Sequence, residues 1–287
     1  MNLFFGVGAA RADGFHEVVS IYQELDLRER VEVSRSQDFE IKISGDIDER
    51  QLAQAAELLA HSAGIEEEPL AFSIVKQVPV AGGMAGGSAD AAAALLACNQ
   101  LLETNLSRDR LISESVQLGS DVPFAIMGGT AIGRGRGEKL EPLTLGRPLH
   151  FVMIMNSGGL STPEVYAELD RQREQAGIDP RQVPAPQAPE ALIRALADGD
   201  VREIAVQISN DLQNAAIALL PELELTLSAA ERYGALRAFV SGSGPTVAAL
   251  VETSEDASAL AVALQHANFK AFVVQTDSLG AVLEPAD

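Results

Sequence analysis

Apolar and polar positions along this chain follow two rhythms. EVVSIYQELDL (17–27), RVEVSRS (30–36) and FEIKISG (39–45) are rich in Val and Ile and partly alternate, the period of a half-buried strand. NLFFGVGA (2–9) and AFSIVKQV (71–78) are more continuously apolar and read as further strands. RQLAQAAELLAHSAG (50–64) changes to helical spacing, with Gly64 as its stop. SADAAAALLACNQLLE (88–103) is a second helix, with Ser88 at its N-cap position, and a third runs over roughly 109–118. GGTAIGRGRGEKLEPL (128–143) reads as a turn and a glycine-rich strand. HFVMIMN (150–156) is a buried strand and the expected entrance to a second domain. The polar, proline-rich GIDPRQVPAPQAPE (177–190) is a surface loop. Helices are expected over EALIRALADG (190–199), VREIAVQISNDLQNAA (201–216), LELTLSAAERYG (223–234) and DASALAVALQHA (256–267). AFVSGSGPTVAALV (238–251) reads as strand, tight turn, strand, and FKAFVVQT (269–276) as a closing strand. The class is α+β, with two domains, 1–149 and 150–287.

Composition narrows the chemistry. With 41 acidic against 21 basic residues the formal charge is −20. That excludes a general nucleic-acid binder, which must neutralise phosphates with Lys and Arg. A small anionic ligand stays open, because backbone amides bind phosphate without side-chain charge. The one cysteine, Cys98, lies in an alanine–leucine helix and reads as a small buried side chain, so no disulfide or metal cluster is expected. The sequence lacks a long apolar run and a basic leader, so a cytoplasmic setting without a membrane or obligate protein partner is the expectation. Glu66-Glu67-Glu68 reads as solvated surface, and Lys76, just before a glycine loop, as facing solvent.

That loop is VPVAGGMAGGSADAA (78–92), bare backbone between a strand and a helix. Glycines allow close approach to a ligand, and free first-turn amides with the helix dipole favour an anion. It is neither GxxxxGK[ST] nor GxGxxG, so it is neither a Walker loop nor a dinucleotide fingerprint. A turn used only for tight packing is the plainer alternative. Pro79-Val80-Ala81-Gly82-Gly83-Met84-Ala85-Gly86-Gly87-Ser88-Ala89-Asp90-Ala91-Ala92 resembles the second motif of the GHMP kinases, in an actinobacterial-like form, and Ser241-Gly242-Ser243-Gly244-Pro245-Thr246 resembles their third. The resemblance implies a two-lobed α+β fold, with a ribosomal S5 domain 2-like N-terminal lobe and a ferredoxin-like C-terminal lobe. It also implies ATP bound along residues Pro79 to Ala89, with Mg²⁺ and a small-alcohol acceptor.

Arg11-Ala12-Asp13-Gly14-Phe15-His16, Gly119-Ser120-Asp121-Val122-Pro123-Phe124, Ser161-Thr162-Pro163-Glu164-Val165-Tyr166 and Ser209-Asn210-Asp211-Leu212 are similar to one branch of that family. Its acceptor carries a cytidine diphosphate moiety. The resemblance makes Asp121 the catalytic base, where an isolated Asp would otherwise read as a helix cap or Asx-turn. It makes Phe15 and Tyr166 the two faces of a stack on cytosine, with His16 reading the base edge; the plainer alternatives are a core Phe and a satisfied surface His. Asn2, Gly242, Ser243 and Gly244 join the substrate side, and Ser88 is a tentative Mg²⁺ ligand as well as a cap. The family's first motif, A-K-[IVL]-N-L, is matched only by Asn2-Leu3 after Met1. The expectation is an upstream start that supplies the lysine, whose loss would cost the chemical step about 2–4 kcal/mol as one electrostatic donor. The alternatives are another small-alcohol kinase, or a short form that binds ligands and turns over poorly.

Overall fold

The computed structural model describes residues 1–44, 49–66, 68–78 and 83–284. Among them the elements of the first half run β1 (Asn2–Ala10), β2 (His16–Gln23), β3 (Arg30–Arg35), β4 (Glu40–Ser44), α1 (Glu49–Ala63), β5 (Leu70–Val75), α2 (Gly86–Leu101), α3 (Arg108–Ser115), α4 (Val122–Met127), β6 (Thr130–Gly135) and β7 (Lys139–Leu143). The second half continues with β8 (His150–Met155), α5 (Thr162–Gln175), α6 (Glu190–Asp198), α7 (Val201–Gln207), β9 (Ser209–Asn210), α8 (Gln213–Leu219), α9 (Glu222–Arg232), β10 (Arg237–Val240), β11 (Val247–Val251), α10 (Ser254–His266) and β12 (Lys270–Gln275).

The chain forms two compact units. The first comprises Met1–Asp26, residues 83 and 84, and Gly129–Asp277. It holds a five-stranded sheet of order β7-β6-β2-β1-β9 and a four-stranded antiparallel sheet of order β10-β11-β8-β12. Val152 and Ile154 of β8 point the same way, as alternate residues of a strand must, and join one apolar cluster with Val240 and Val247. Leu223 of α9, Leu260 and Leu264 of α10, and Val7 and Val18 of the first sheet complete it. All five residues of β11 are buried, which explains its unbroken apolar run. β1 pairs antiparallel with β2 and parallel with β9, where Phe5 sits opposite Asn210.

The second unit comprises the described parts of 27–80, 85–128 and 278–287. Its sheet, β3-β5-β4, carries helices whose core is Leu59, Leu70, Phe72, Ile74, Leu95, Leu111 and Ile126. α2 buries Ala91, Ala92, Ala94 and Cys98, small side chains that let its neighbours approach closely. Burial pushes the Cys98 thiol up to about 12, so it is an inert core residue, as expected.

Several expectations need correction. Strand pairing does not follow chain order: β1, β2, β6 and β7 pack within the unit that contains the second half. GGTAIGRGRGEKLEPL is two strands, the β6–β7 hairpin, rather than one. The single helix expected over 201–216 is interrupted at Ile208–Leu212. There Asn210 Oδ1 accepts the Leu212 amide at 2.9 Å, a side-chain bond that competes with the helix, and Ser209 pairs with Phe4. Ser88 is not the N-cap of α2. Ala85 is, in left-handed backbone at φ 55, and Gly86 and Gly87 form the first turn ahead of Ser88.

Candidate active site

The candidate residues fall into two groups, one in each unit. Pro79, Val80, Ala81 and Gly82 of the expected ATP loop lie outside the described residues, as does Glu67. Glu66 and Glu68 are exposed as expected, and Glu68 pairs with Arg35 at 3.0 Å.

In the second unit, the left-handed Ala85 turns the chain into α2, and its carbonyl accepts the Ala89 amide at 3.0 Å. The amides of Gly86, Gly87 and Ser88 occupy the first turn, where no intrahelical acceptor exists for them. A Cβ on Gly86 would stand 3.4 Å from Lys76 Nζ and 3.2 Å from Val78 Cγ1, so the glycine makes room for the lysine. Lys76 does not face solvent. Its side chain is 9% exposed, with Nζ 2.5 Å from Glu29 Oε1 and 2.8 Å from Asp90 Oδ2. Burial pulls the ammonium pKa down, but hydrogen bonds to Asp90 and Glu29 outweigh it and the net shift is upward. Burial pushes the Asp90 carboxyl up to about 6 against the pull of Lys76. Asp90 Oδ1 has no hydrogen-bond partner among the described residues. Glu29 Oε2 accepts the Gln77 amide at 2.7 Å, which ties the triad to the chain leaving β5. Glu29 carried no mark in the sequence that set it apart from other acidic residues, and Asp90 lay in the glycine-loop motif without being assigned work.

Asp121 stands at the N-cap position of α4, half-buried, with φ −94 and ψ −11. Its carbonyl accepts the Ala125 amide at 3.1 Å, while its carboxylate makes no capping bond. The plainer role of a side-chain helix cap is therefore not the one it fills. Val122, Pro123 and Phe124 behind it are buried, which fixes the backbone that carries the carboxylate.

In the first unit, Asn2 Nδ2 donates to Ser20 Oγ at 2.8 Å, and Ser20 Oγ donates to the Phe4 carbonyl at 3.0 Å. That orients Asn2 Oδ1 toward Gly242, whose added Cβ would lie 3.2 Å away. Gly242 and Gly244 have φ of +56 and +79, backbone that glycine adopts without strain. Ser241 Oγ donates to the Gly83 carbonyl at 3.2 Å. A Cβ on Gly83, itself at φ +69, would stand 2.6 Å from the Gly244 carbonyl oxygen and 2.7 Å from that of Ser241. The second and third motifs therefore meet backbone to backbone at Gly83. Asn210 Nδ2 donates to the carbonyls of Val240 (2.9 Å) and Gly242 (2.7 Å), and Asp211 Oδ2 accepts the Val7 amide at 2.8 Å. These two residues set the late turn and β1; the sequence flagged their motif without assigning them work. Ser243 Oγ and Thr162 Oγ1 are 2.9 Å apart, linking the turn to the start of α5.

The aromatic group differs from expectation. Tyr166 stacks on His16, with ring centroids 4.9 Å apart and planes at 27°, a ring pair that the sequence did not lead us to expect. Phe15 is 51% exposed, with the Arg136 guanidinium 5.0 Å from its ring centroid, so it is no core residue. His16 Nε2 meets both oxygens of Asp170, at 3.1 and 3.0 Å. Asp170 follows Tyr166 by four residues, one helical turn, a spacing visible in the sequence but uninformative until the partner was known.

Two family models match the chain: "GHMP kinases N terminal domain" over residues 50–129 and "GHMP kinases C terminal" over 192–271. A relative from Nocardia farcinica, named 4-diphosphocytidyl-2-C-methyl-D-erythritol kinase, is 46% identical over 275 residues, 93% of this chain and 87% of that one. The chain belongs to the GHMP kinases. A Streptomyces coelicolor kinase of the same name is 44% identical over 273 residues, 92% of this chain and 89% of its own. Among solved structures, a 4-(cytidine 5'-diphospho)-2C-methyl-D-erythritol kinase superposes with a TM-score of 0.78 at 29% identity, covering 96% of each chain. An L. major mevalonate kinase in complex with R-mevalonate, at 17% identity and a TM-score of 0.68, shares the fold. The α+β GHMP kinase fold expected from the two glycine motifs is the fold of this chain.

Proposed function

We propose that this GHMP kinase transfers the γ-phosphoryl group of ATP to the 2-hydroxyl of 4-(cytidine 5'-diphospho)-2-C-methyl-D-erythritol, a step in isoprenoid precursor formation. The observation that carries the reading is similarity along nearly the whole chain to kinases of that name, 46% identity over 93% of it. Residues 1–149 and 150–287 are taken as the two inherited domains, supported by family matches on either side of 150.

Phosphoryl transfer is mostly positioning and charge compensation. Asp121, whose carboxylate caps no helix, orients or deprotonates the attacking hydroxyl. Residues 79–89 wrap the triphosphate, and the amides of the first turn of α2 point their positive dipole end at it. Asn2 Oδ1, Gly242, Ser243 and Gly244 hold the acceptor's polar groups, and His16 with Tyr166 and Phe15 receives the base. Among the described residues no three His, Cys, Asp or Glu side chains form a metal cage. Mg²⁺, which keeps substrate phosphates and waters as ligands, would take the Ser88 hydroxyl as the protein's contribution. The ion would neutralise charge on the β- and γ-oxygens.

The test is a transfer assay with Mg-ATP and the cytidine-linked polyol, on this chain and on one extended upstream through an A-K-[IVL]-N-L motif. Phosphate appearing on the 2-hydroxyl in either form supports the reading. Transfer to homoserine or mevalonate but not to the cytidine-linked polyol would sink it.

A further inference from the structure

His16 has one of its two ring nitrogens already committed. Nε2 faces the Asp170 carboxylate at 3.0 and 3.1 Å, and no hydrogen bond among the described residues reaches Nδ1. The ring itself is held. Tyr166 lies flat against one face, and the His16 side chain is only 9% exposed. Asp170 is held in turn. Arg173, one turn further along α5, lies 4.0 Å from its Oδ1 and donates to the carbonyls of Val7 (2.6 Å) and Gly8 (3.1 Å). That anchors α5 to β1, the strand paired with the one that His16 begins.

An ionised carboxylate only accepts hydrogen bonds, so Nε2 must carry the hydrogen. In neutral imidazole the other nitrogen is then a lone pair. We infer that Asp170 is a positioning residue for base recognition: it fixes His16 as the Nε2–H tautomer and leaves Nδ1 as an acceptor for the exocyclic amine of an aminopyrimidine. Cytosine offers such an N–H where uracil offers a carbonyl oxygen, so the pair selects cytosine and repels uracil. The inference rests on the reading above that the substrate's base docks at His16. It adds what decides which base.

The two claims are tested apart. Nitrogen-15 NMR of labelled histidine, with His16 assigned by its loss in His16→Asn, reads the tautomer directly in the folded protein without substrate. Nε2 protonated and Nδ1 bare is expected; the reverse overturns the inference. In steady-state assays Asp170→Asn, whose amide can accept from or donate to Nε2 and so no longer fixes the tautomer, should raise KM for the cytidine substrate roughly tenfold. Its kcat and its KM for ATP should stay near wild type, and its preference for the cytidine over the uridine substrate should collapse. Asp170→Glu, which keeps the carboxylate, should recover part of that preference. An unchanged preference in Asp170→Asn, or an equal rise in KM for ATP, overturns the inference. If wild type phosphorylates neither pyrimidine form, the proposed function falls, and the NMR result decides the tautomer claim by itself.

Discussion

At the scale of single residues, chemistry and packing separate cleanly in this site. Asp121 was singled out by the family resemblance of its motif, and the structure adds that its carboxylate is not used as a helix cap. Asp121→Asn keeps the shape and removes the proton acceptor. Turnover should fall by about 10²–10⁴-fold while ATP affinity holds, measured by steady-state kinetics beside nucleotide titration. A variant with near-normal kcat would remove Asp121 from the chemistry. Lys76 was misread as solvent-facing because nothing local distinguishes a lysine after a strand; its partners lie 47 residues before it and 14 after it, at Glu29 and Asp90 (76 − 29 and 90 − 76). Lys76→Met leaves two carboxylates buried together without a cation. We expect a loss of about 3–5 kcal/mol in denaturant unfolding, and a change under 1 kcal/mol would show that the triad adds no stability. The triad also sets a pH dependence. Folding raises the Asp90 pKa from 3.8 to about 6, so between those values the folded chain holds a proton that the unfolded chain has released. Stability from this group therefore falls as pH rises through that window. Thermal unfolding followed from pH 4 to 7 should show this slope in wild type and lose it in Asp90→Asn; identical slopes would place the titration elsewhere.

At the scale of elements, periodicity located most strands and helices, and its misses share one cause. The break at Ile208–Leu212 depends on a backbone partner, Phe4, some two hundred residues earlier, and on the side-chain bonds of Asn210. The entry into α2 shifted from Ser88 to Ala85 because a left-handed residue, not a hydroxyl, turns the chain there. The glycine loop illustrates the same point. Its composition announced close backbone approach, but that Gly83 abuts the carbonyls of Ser241 and Gly244 is a tertiary fact. A methyl group at Gly83 meets both a positive φ and a 2.6 Å contact. Gly83→Ala should push the two glycine segments apart, with a left-handed backbone penalty of about 1–2 kcal/mol in unfolding and a raised KM for ATP. Normal unfolding and nucleotide affinity together would show that the segments tolerate separation.

At the scale of the whole molecule, the charge of −20 opposes the approach of anionic substrates, and the proposed site would offset it with local amides and helix ends. Screening should help. As the Debye length falls from about 30 Å at 0.01 M to about 8 Å at 0.15 M ionic strength, kcat/KM for ATP should rise. A steady fall with salt would mean that a local positive field governs encounter instead. The α+β class, the glycine loop and the acidic balance follow from sequence by itself, since each depends on residue type and spacing within a short window; the late partner motif and the Asp121 candidate follow from the family resemblance those residues carry. Tertiary structure alone decided the rest. Strand pairing assigns β1, β2, β6 and β7 to the unit holding the second half of the chain, burial turns Lys76 inward, and α5 brings Tyr166 and Asp170 onto His16. Those outcomes depend on which distant groups are left unsatisfied until the chain closes, and no local pattern records that.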